Sequence, residues 1–206
     1  MIYEKFIANN AGVLIMEVTE SLSNLEASLS NFEIYKTAYE NLKTEKRKLE
    51  FLGLRIAINE LLNDVVEIIY DSEGKPALKN NPHHISLSHS GKWLAVMAHP
   101  TQKVGIDIEC PTDKLEKLYK RFLSETEQKE LYQDKDLRKL QIAWSVKEAL
   151  YKIIGNEAVD FANHLRIFAF DIANNDSIKA EHIPSNTIYH LQYKIDNHFI
   201  LAYSIA

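Results

Sequence analysis

A chain of 206 residues, 46% hydrophobic and 26% charged, has an ordinary globular composition and suits one large domain or two small ones. Its net charge of −5 gives no whole-protein basis for nucleic acid or an anionic membrane as partner, so an anionic ligand would have to meet a local basic cluster. Cys110 is the only cysteine, which excludes an internal disulfide. With no apolar run near the ~20 residues of a membrane span and no signal-peptide pattern at Met1 to Asn10, the cytoplasm is the expected location.

Residues 2–8 and 11–18 read as two strands with a turn at Asn9-Asn10. Ser21 to Ser30 reads as a short helix. Glu33 to Leu62 reads as a longer helical region broken once, with Leu49, Leu52, Ile56 and Leu61 facing a core. Lys43, Lys46, Arg47, Lys48 and Arg55 accumulate along it, and such a run is ordinarily a solvated helix face. Val65 to Tyr70 predicts a strand running into the turn Asp71-Ser72-Glu73-Gly74-Lys75-Pro76. Ile85 to Ser90 and Trp93 to Ala98 predict two more strands. Alternation sets Ser86, Ser88 and Ser90 opposite Leu87 and His89. The neighbouring His83 and His84 would point to opposite faces of a strand, so they read as structural or surface residues rather than a metal pair.

Val104-Gly105-Ile106-Asp107-Ile108-Glu109 alternates apolar and acidic residues, the period of a half-buried strand with Asp107 and Glu109 on one face. After Pro111, Lys114, Lys117, Lys120 and Arg121 recur at helical spacing beside Leu115, Leu118 and Phe122. Ser124-Glu125-Thr126-Glu127 fits a capping box for a helix running to about Tyr132. Asp136 to Ile154 predicts a long helix ended by Gly155, with Trp144 as a core anchor and Glu148 and Lys152 one turn apart on one face. Arg166 to Ile172, Thr187 to Ile195 and Phe199 to Ile205 read as three strands, with turns at Asn174-Asn175-Asp176 and Asp196-Asn197.

Two carboxylates from a strand and one from a helix can converge on a hard cation such as Mg²⁺, which takes oxygen ligands and keeps positions for water and phosphate. On spacing alone, Asp-x-Glu is also the ordinary solvated face of a sheet, and Lys-Glu an ordinary surface pair. The identities go further. Gly105-Ile106-Asp107-Ile108-Glu109 followed by Trp144-Ser145-x-Lys147-Glu148-Ala149-x-x-Lys152 resembles the paired signature of the surfactin-type (Sfp-like) 4'-phosphopantetheinyl transferases. These enzymes move phosphopantetheine from coenzyme A to a serine of a carrier protein. The resemblance extends over residues from about 45 to 155 and is faint at both ends.

The resemblance implies an α+β fold, a pseudo-dimer of two similar halves at 1–102 and 103–206. Each half would pack an antiparallel sheet against helices, with the active site in the cleft between them. It implies that Asp107, Glu109 and Glu148 hold Mg²⁺ and that Glu148 and Lys152 are catalytic. Arg55, Lys75, Pro76, Ser88, His89, Asp107 and Lys152 would bind coenzyme A, with Lys43, Lys46 and Arg47 placed near its 3'-phosphate only by proximity. The implied partner is an apo carrier protein, acyl or peptidyl, with no nucleic acid or membrane, and the enzyme is expected to be a monomer. Two other readings stay open, a different Mg²⁺-dependent phosphate-ester enzyme and a non-catalytic carrier-binding paralogue. Carriers are generally acidic around their serine, so the stripe Lys114, Lys117, Lys120 and Arg121 is the expected docking face. A solvated face balanced by Glu116 and Glu125 is the plain alternative.

Overall fold

The structure is a computed structural model and describes residues 1–155, 159–173 and 176–206. The chain forms two compact units, Met1–Val104 and Gly105–Ala206. The fold is α+β, with helices packed on antiparallel sheets.

In the first unit, β1 (Ile2–Ala8) and β2 (Ala11–Glu17) form a hairpin. Asn9 and Asn10 both take positive φ, 46° and 68°, which matches the right-handed strand twist and which asparagine tolerates. Next come α1 (Leu22–Ser28), capped by Ser21, a 3₁₀ turn at Phe32–Tyr35, α2 (Lys36–Glu40) and α3 (Glu45–Leu62). Thr44 caps α3 by accepting from the Arg47 amide, so the expected single break lies just before it. The short strands β3 (Ile68–Tyr70) and β4 (Pro76–Leu78) pair with each other. Then β5 (His84–Ser90) and β6 (Trp93–His99) complete a four-stranded antiparallel sheet in the order β1-β2-β6-β5.

Helix α3 departs from the expected single apolar stripe. Leu54, Ala57 and Ile58 pack with Leu14, Leu94 and Val96 of the sheet, while Leu52 packs with Leu25, Leu29, Tyr35 and Tyr39. Covered on two sides, the helix buries Leu52 fully but leaves Leu49, Ile56 and Leu61 only partly buried.

Strand β7 (Val104–Glu109) starts on the last residue of the first unit and otherwise belongs to the second. The stretch expected as one helix from Lys114 to Arg121 is instead two 3₁₀ turns, Lys114–Lys117 and Tyr119–Arg121. Leu118 separates them at φ −116°, and Asp113 makes no side-chain cap. So short an uncapped segment falls below the length at which an α-helix sustains itself. The capping box at Ser124 and Glu127 opens α4 (Glu125–Leu131), and Asp136 caps α5 (Leu137–Ile154). Four further strands follow: β8 (Leu165–Ile167), β9 (Ser177–His182), β10 (Thr187–Ile195) and β11 (Ile200–Ile205). They lie in a five-stranded sheet ordered β7-β11-β10-β9-β8. The expected strand at 166–172 is thus shorter, and β9 was not foreseen. Of the expected turn, Asn174 and Asn175 lie outside the described residues.

Helix α5 covers β10 and β11, with Leu140, Ile142, Val146 and Leu150 in the core against Leu191, Ile200 and Ala202. It also lies directly on β7 at one point. A Cβ on Gly105 would come within 2.0 Å of the Ala149 carbonyl oxygen and 2.7 Å of Ile153 Cγ1. Glycine at 105 is therefore what lets strand backbone meet helix backbone.

Candidate active site

Gly105, Asp107 and Glu109 share one face of β7, and Ile106 and Ile108 share the other, both fully buried. Because α5 is seated on Gly105, the acidic face is covered rather than solvated, and Asp107 is only 4% exposed. Trp144, Glu148 and Lys152 follow one another at intervals of four along α5 and form one face.

Contacts tie this face to the strand. Lys152 Nζ donates to the Ile106 carbonyl at 2.8 Å and to Asp107 Oδ1 at 2.9 Å. Trp144 Nε1 donates to Glu109 Oε1 at 3.0 Å. Trp144 is only partly buried and stacks edge-on to Phe122, so besides packing it fixes one carboxylate. Burial pushes the Glu148 carboxyl up to about 7, and the charges of Asp107 and Glu109 push the same way against the Lys152 ammonium. Glu148 also borders a cavity of about 790 Å³ walled by Leu118, Arg121, Phe122, Trp144 and Phe161. A carboxyl poised near neutrality beside a cavity can take or give a proton close to pH 7.

Lys147, the other cation of the helix motif, has a different set of partners. It is fully buried, and its Nζ reaches the carbonyls of Phe122 (2.6 Å), Phe161 (2.8 Å) and Leu165 (2.7 Å). The buried Glu127 carboxylate lies 2.8 Å away and also accepts from the amides of Ser124 and Ile167. Burial lowers the Lys147 pKa and Glu127 opposes that shift. The motif lysine is a structural rivet holding α5, α4 and β8 together.

Among the described residues, no three or more His, Cys, Asp or Glu side chains are grouped so as to hold a metal ion. Asp107, Glu109 and Glu148 are hard oxygen donors that feel one another electrostatically, as the Glu148 shift records. The donor set therefore fits Mg²⁺ in chemistry. Two of the three carboxylates engage Lys152 and Trp144 here.

The other expected ligand residues belong to the first unit. Lys75 follows Gly74, whose φ is 84°, in a turn fixed by Asp71 Oδ1, which accepts from the amides of Glu73 and Lys75. Burial lowers the Lys75 pKa and the nearby Lys103 lowers it further. Lys75, Pro76, His83, His84 and Lys103 border a cavity of about 140 Å³. Ser88 is buried in β5, and His89 is partly exposed with Nδ1 3.2 Å from Glu50 Oε1. Arg55 is buried to 3% exposure, with its guanidinium 3.3 Å from the Phe51 ring centroid and 4.3 Å from that of Tyr35. It also donates to the Phe51 carbonyl at 2.9 Å. Sequence reasoning passed over Lys103, which stands in no motif and which only the fold sets beside Lys75.

An α+β protein with two strand carboxylates bound to a tryptophan and a lysine of one helix, and a glutamate between them, has an acidic, oxygen-donor site. Its class follows from comparison with known proteins. The profile of the 4'-phosphopantetheinyl transferase superfamily matches residues 103–204. The 4'-phosphopantetheinyl transferase AcpT of Escherichia coli K12 is 30% identical over 142 residues, covering 66% of this chain and 70% of that protein. The chain belongs to the 4'-phosphopantetheinyl transferase superfamily. The AcpT protein of Salmonella typhi is 31% identical over 118 residues, 54% of this chain, and the match spans 62% of that protein's length. The 4'-phosphopantetheinyl transferase Sfp of Bacillus subtilis 168 is 39% identical over 83 residues, 38% of this chain and 37% of its own.

Proposed function

We propose that the protein transfers 4'-phosphopantetheine from coenzyme A to a serine of an apo acyl or peptidyl carrier protein, releasing 3',5'-ADP. The observation that carries this reading is Glu148, a carboxyl held near neutrality between the strand acids and Lys152 in a chain of this superfamily. In the reaction, the serine hydroxyl oxygen attacks the β-phosphorus of coenzyme A, and the bond from that phosphorus to the oxygen of 3',5'-ADP breaks. A serine hydroxyl is a weak nucleophile at neutral pH and needs a base. We assign that base to Glu148, the carboxyl between the strand acids and Lys152.

In the second unit Lys152, anchored on Asp107, offers positive charge to phosphate, and in the first unit Lys75, Ser88 and His89 are assigned to coenzyme A. Pro76 shapes the turn that carries Lys75. Arg55 serves coenzyme A from within its aromatic niche. Mg²⁺, held by Asp107, Glu109 and Glu148, would supply charge neutralisation at the pyrophosphate. The protein is expected to act as a monomer in the cytoplasm. No helix among the described residues is long and apolar enough to cross a membrane.

The site is tested by single-turnover transfer to an apo carrier. Glu148→Gln is expected to lose on the order of 10²–10⁴-fold in rate, the usual worth of a positioned base. Asp107→Ala is expected to abolish transfer, and Glu109→Ala to do the same or slightly less. A wild-type rate in Glu148→Gln or Asp107→Ala would refute the assignment.

A further inference from the structure

Lys75 stands on a small hairpin. Strands β3 and β4 pair Ile68 with Leu78, Ile69 with Ala77 and Tyr70 with Pro76, and the Asp71 amide closes the turn by donating to the Lys75 carbonyl at 3.1 Å. A two-stranded ribbon of this size is marginal in water unless something else holds it. Asn31 and Asn59 hold Val66, just before the strand. The Tyr35 hydroxyl reaches the strand itself, accepting from the Ile68 amide at 2.7 Å and donating to the Val66 carbonyl at 3.3 Å. Tyr35 is buried, and its ring is held in turn. The Arg55 guanidinium lies over it at 4.3 Å, and Phe51 packs edge-on to it with centroids 5.9 Å apart.

Arg55 itself is enclosed. Its guanidinium lies closer still to the Phe51 ring, donates to the Phe51 carbonyl and leaves the residue 3% exposed. A ligand could reach it only by taking that stack apart. Burial lowers the Arg55 pKa, and Tyr70 and Tyr35 oppose the shift, so its electrostatic neighbours include the last residue of β3.

We propose that Arg55 is a positioning residue that never touches coenzyme A and instead holds the Lys75 turn, through the Tyr35 ring and hydroxyl and strand β3. That the ligand of this turn is coenzyme A rests on the function proposed above, whereas the link from Arg55 to the turn does not. A guanidinium that met a phosphate directly would add its loss to the loss of Lys75. One that acts through the turn has nothing left to position once the Lys75 side chain is gone.

The test combines amide hydrogen exchange with calorimetric titration by coenzyme A on Arg55→Met, which fills the aromatic niche without charge, and a thermal melt confirms folding. Exchange at Ile68 and Lys75 is expected to rise about tenfold while β2 and β6 keep wild-type rates, because the hairpin opens without the sheet. Affinity for coenzyme A is expected to fall roughly tenfold, the cost of ordering one more side chain on binding. In a Lys75→Ala background the same change should alter affinity by no more than about twofold. Faster exchange shared by β2 and β6, an unaltered Lys75 amide, or losses that add to that of Lys75→Ala would overturn the proposal. If Arg55→Met does not fold, Tyr35→Phe decides, since it removes the hydroxyl and keeps the ring. Faster exchange at Lys75 with weaker coenzyme A binding upholds the link, and wild-type values refute it. Coenzyme A bound equally by wild type and Arg55→Met removes this inference and leaves the proposed function. A wild type that binds no coenzyme A removes that function, and exchange at Lys75 then decides the link alone.

Discussion

Glu148 concentrates the chemistry at the scale of one residue. A folded-state pKa near 7, against 4.5 for an exposed glutamate, means that the native chain keeps a proton the unfolded chain has released. The sign follows for stability. Below pH 4.5 both states are protonated and the group is neutral in effect, and as pH rises through 7 the native state must hold a partly buried charge and loses stability. Glu148→Gln should therefore match wild type near pH 4 and be more stable by about 2 kcal/mol near pH 8 in metal-free buffer, after discounting for partial exposure. Urea denaturation at the two pH values reads this directly. An equal difference at both would mean that Glu148 is not strained by its surroundings. A divalent cation should shrink the gap at pH 8, because it relieves the repulsion from Asp107 and Glu109.

At the scale of elements, helix α5 does two jobs with two neighbouring faces. One presents Trp144, Glu148 and Lys152 to β7, and the other buries Lys147 against Glu127. A buried pair costs most when broken on one side. Lys147→Met is expected to lose about 3–5 kcal/mol in equilibrium unfolding, and adding Glu127→Gln should return part of it by removing the stranded charge. A milder single variant would mean that water reaches the pair.

The same helix separates what could be read in the sequence from what could not. The spacing of Trp144, Glu148 and Lys152 and the box at Ser124 are local features, and both are legible. That Lys147 is a rivet was not, because its four acceptors come from distant segments. Strand β9 escaped notice since its buried positions, Ile178, Ala180 and His182, include a small and a polar residue and so hide the alternation. The run from Lys114 to Arg121 misled in the other direction, since helical spacing of charge alone does not nucleate a helix.

For the whole molecule, a net charge of −5 opposes any acidic partner, so attraction must be local. Lys114, Lys117, Lys120 and Arg121 remain exposed on the two 3₁₀ turns, and Arg121 reaches the cavity beside Glu148. If this segment receives the carrier, Lys117→Glu/Arg121→Glu should raise the KM for carrier and leave that for coenzyme A unchanged. Added salt should weaken carrier use by the wild type, since exposed charges are screened over about 10 Å at 0.1 M. Equal carrier kinetics at low salt would place docking elsewhere.

Whether this chain moves phosphopantetheine is read on the carrier itself. The most direct measurement mixes the protein with coenzyme A, Mg²⁺ and an apo carrier and follows the carrier by intact mass. The carrier is expected to gain the mass of one phosphopantetheine, with 3',5'-ADP released in equal amount and neither change when the carrier serine is alanine. Coenzyme A cleaved with the carrier unmodified, or carrier and coenzyme A both left intact, would contradict the proposed function.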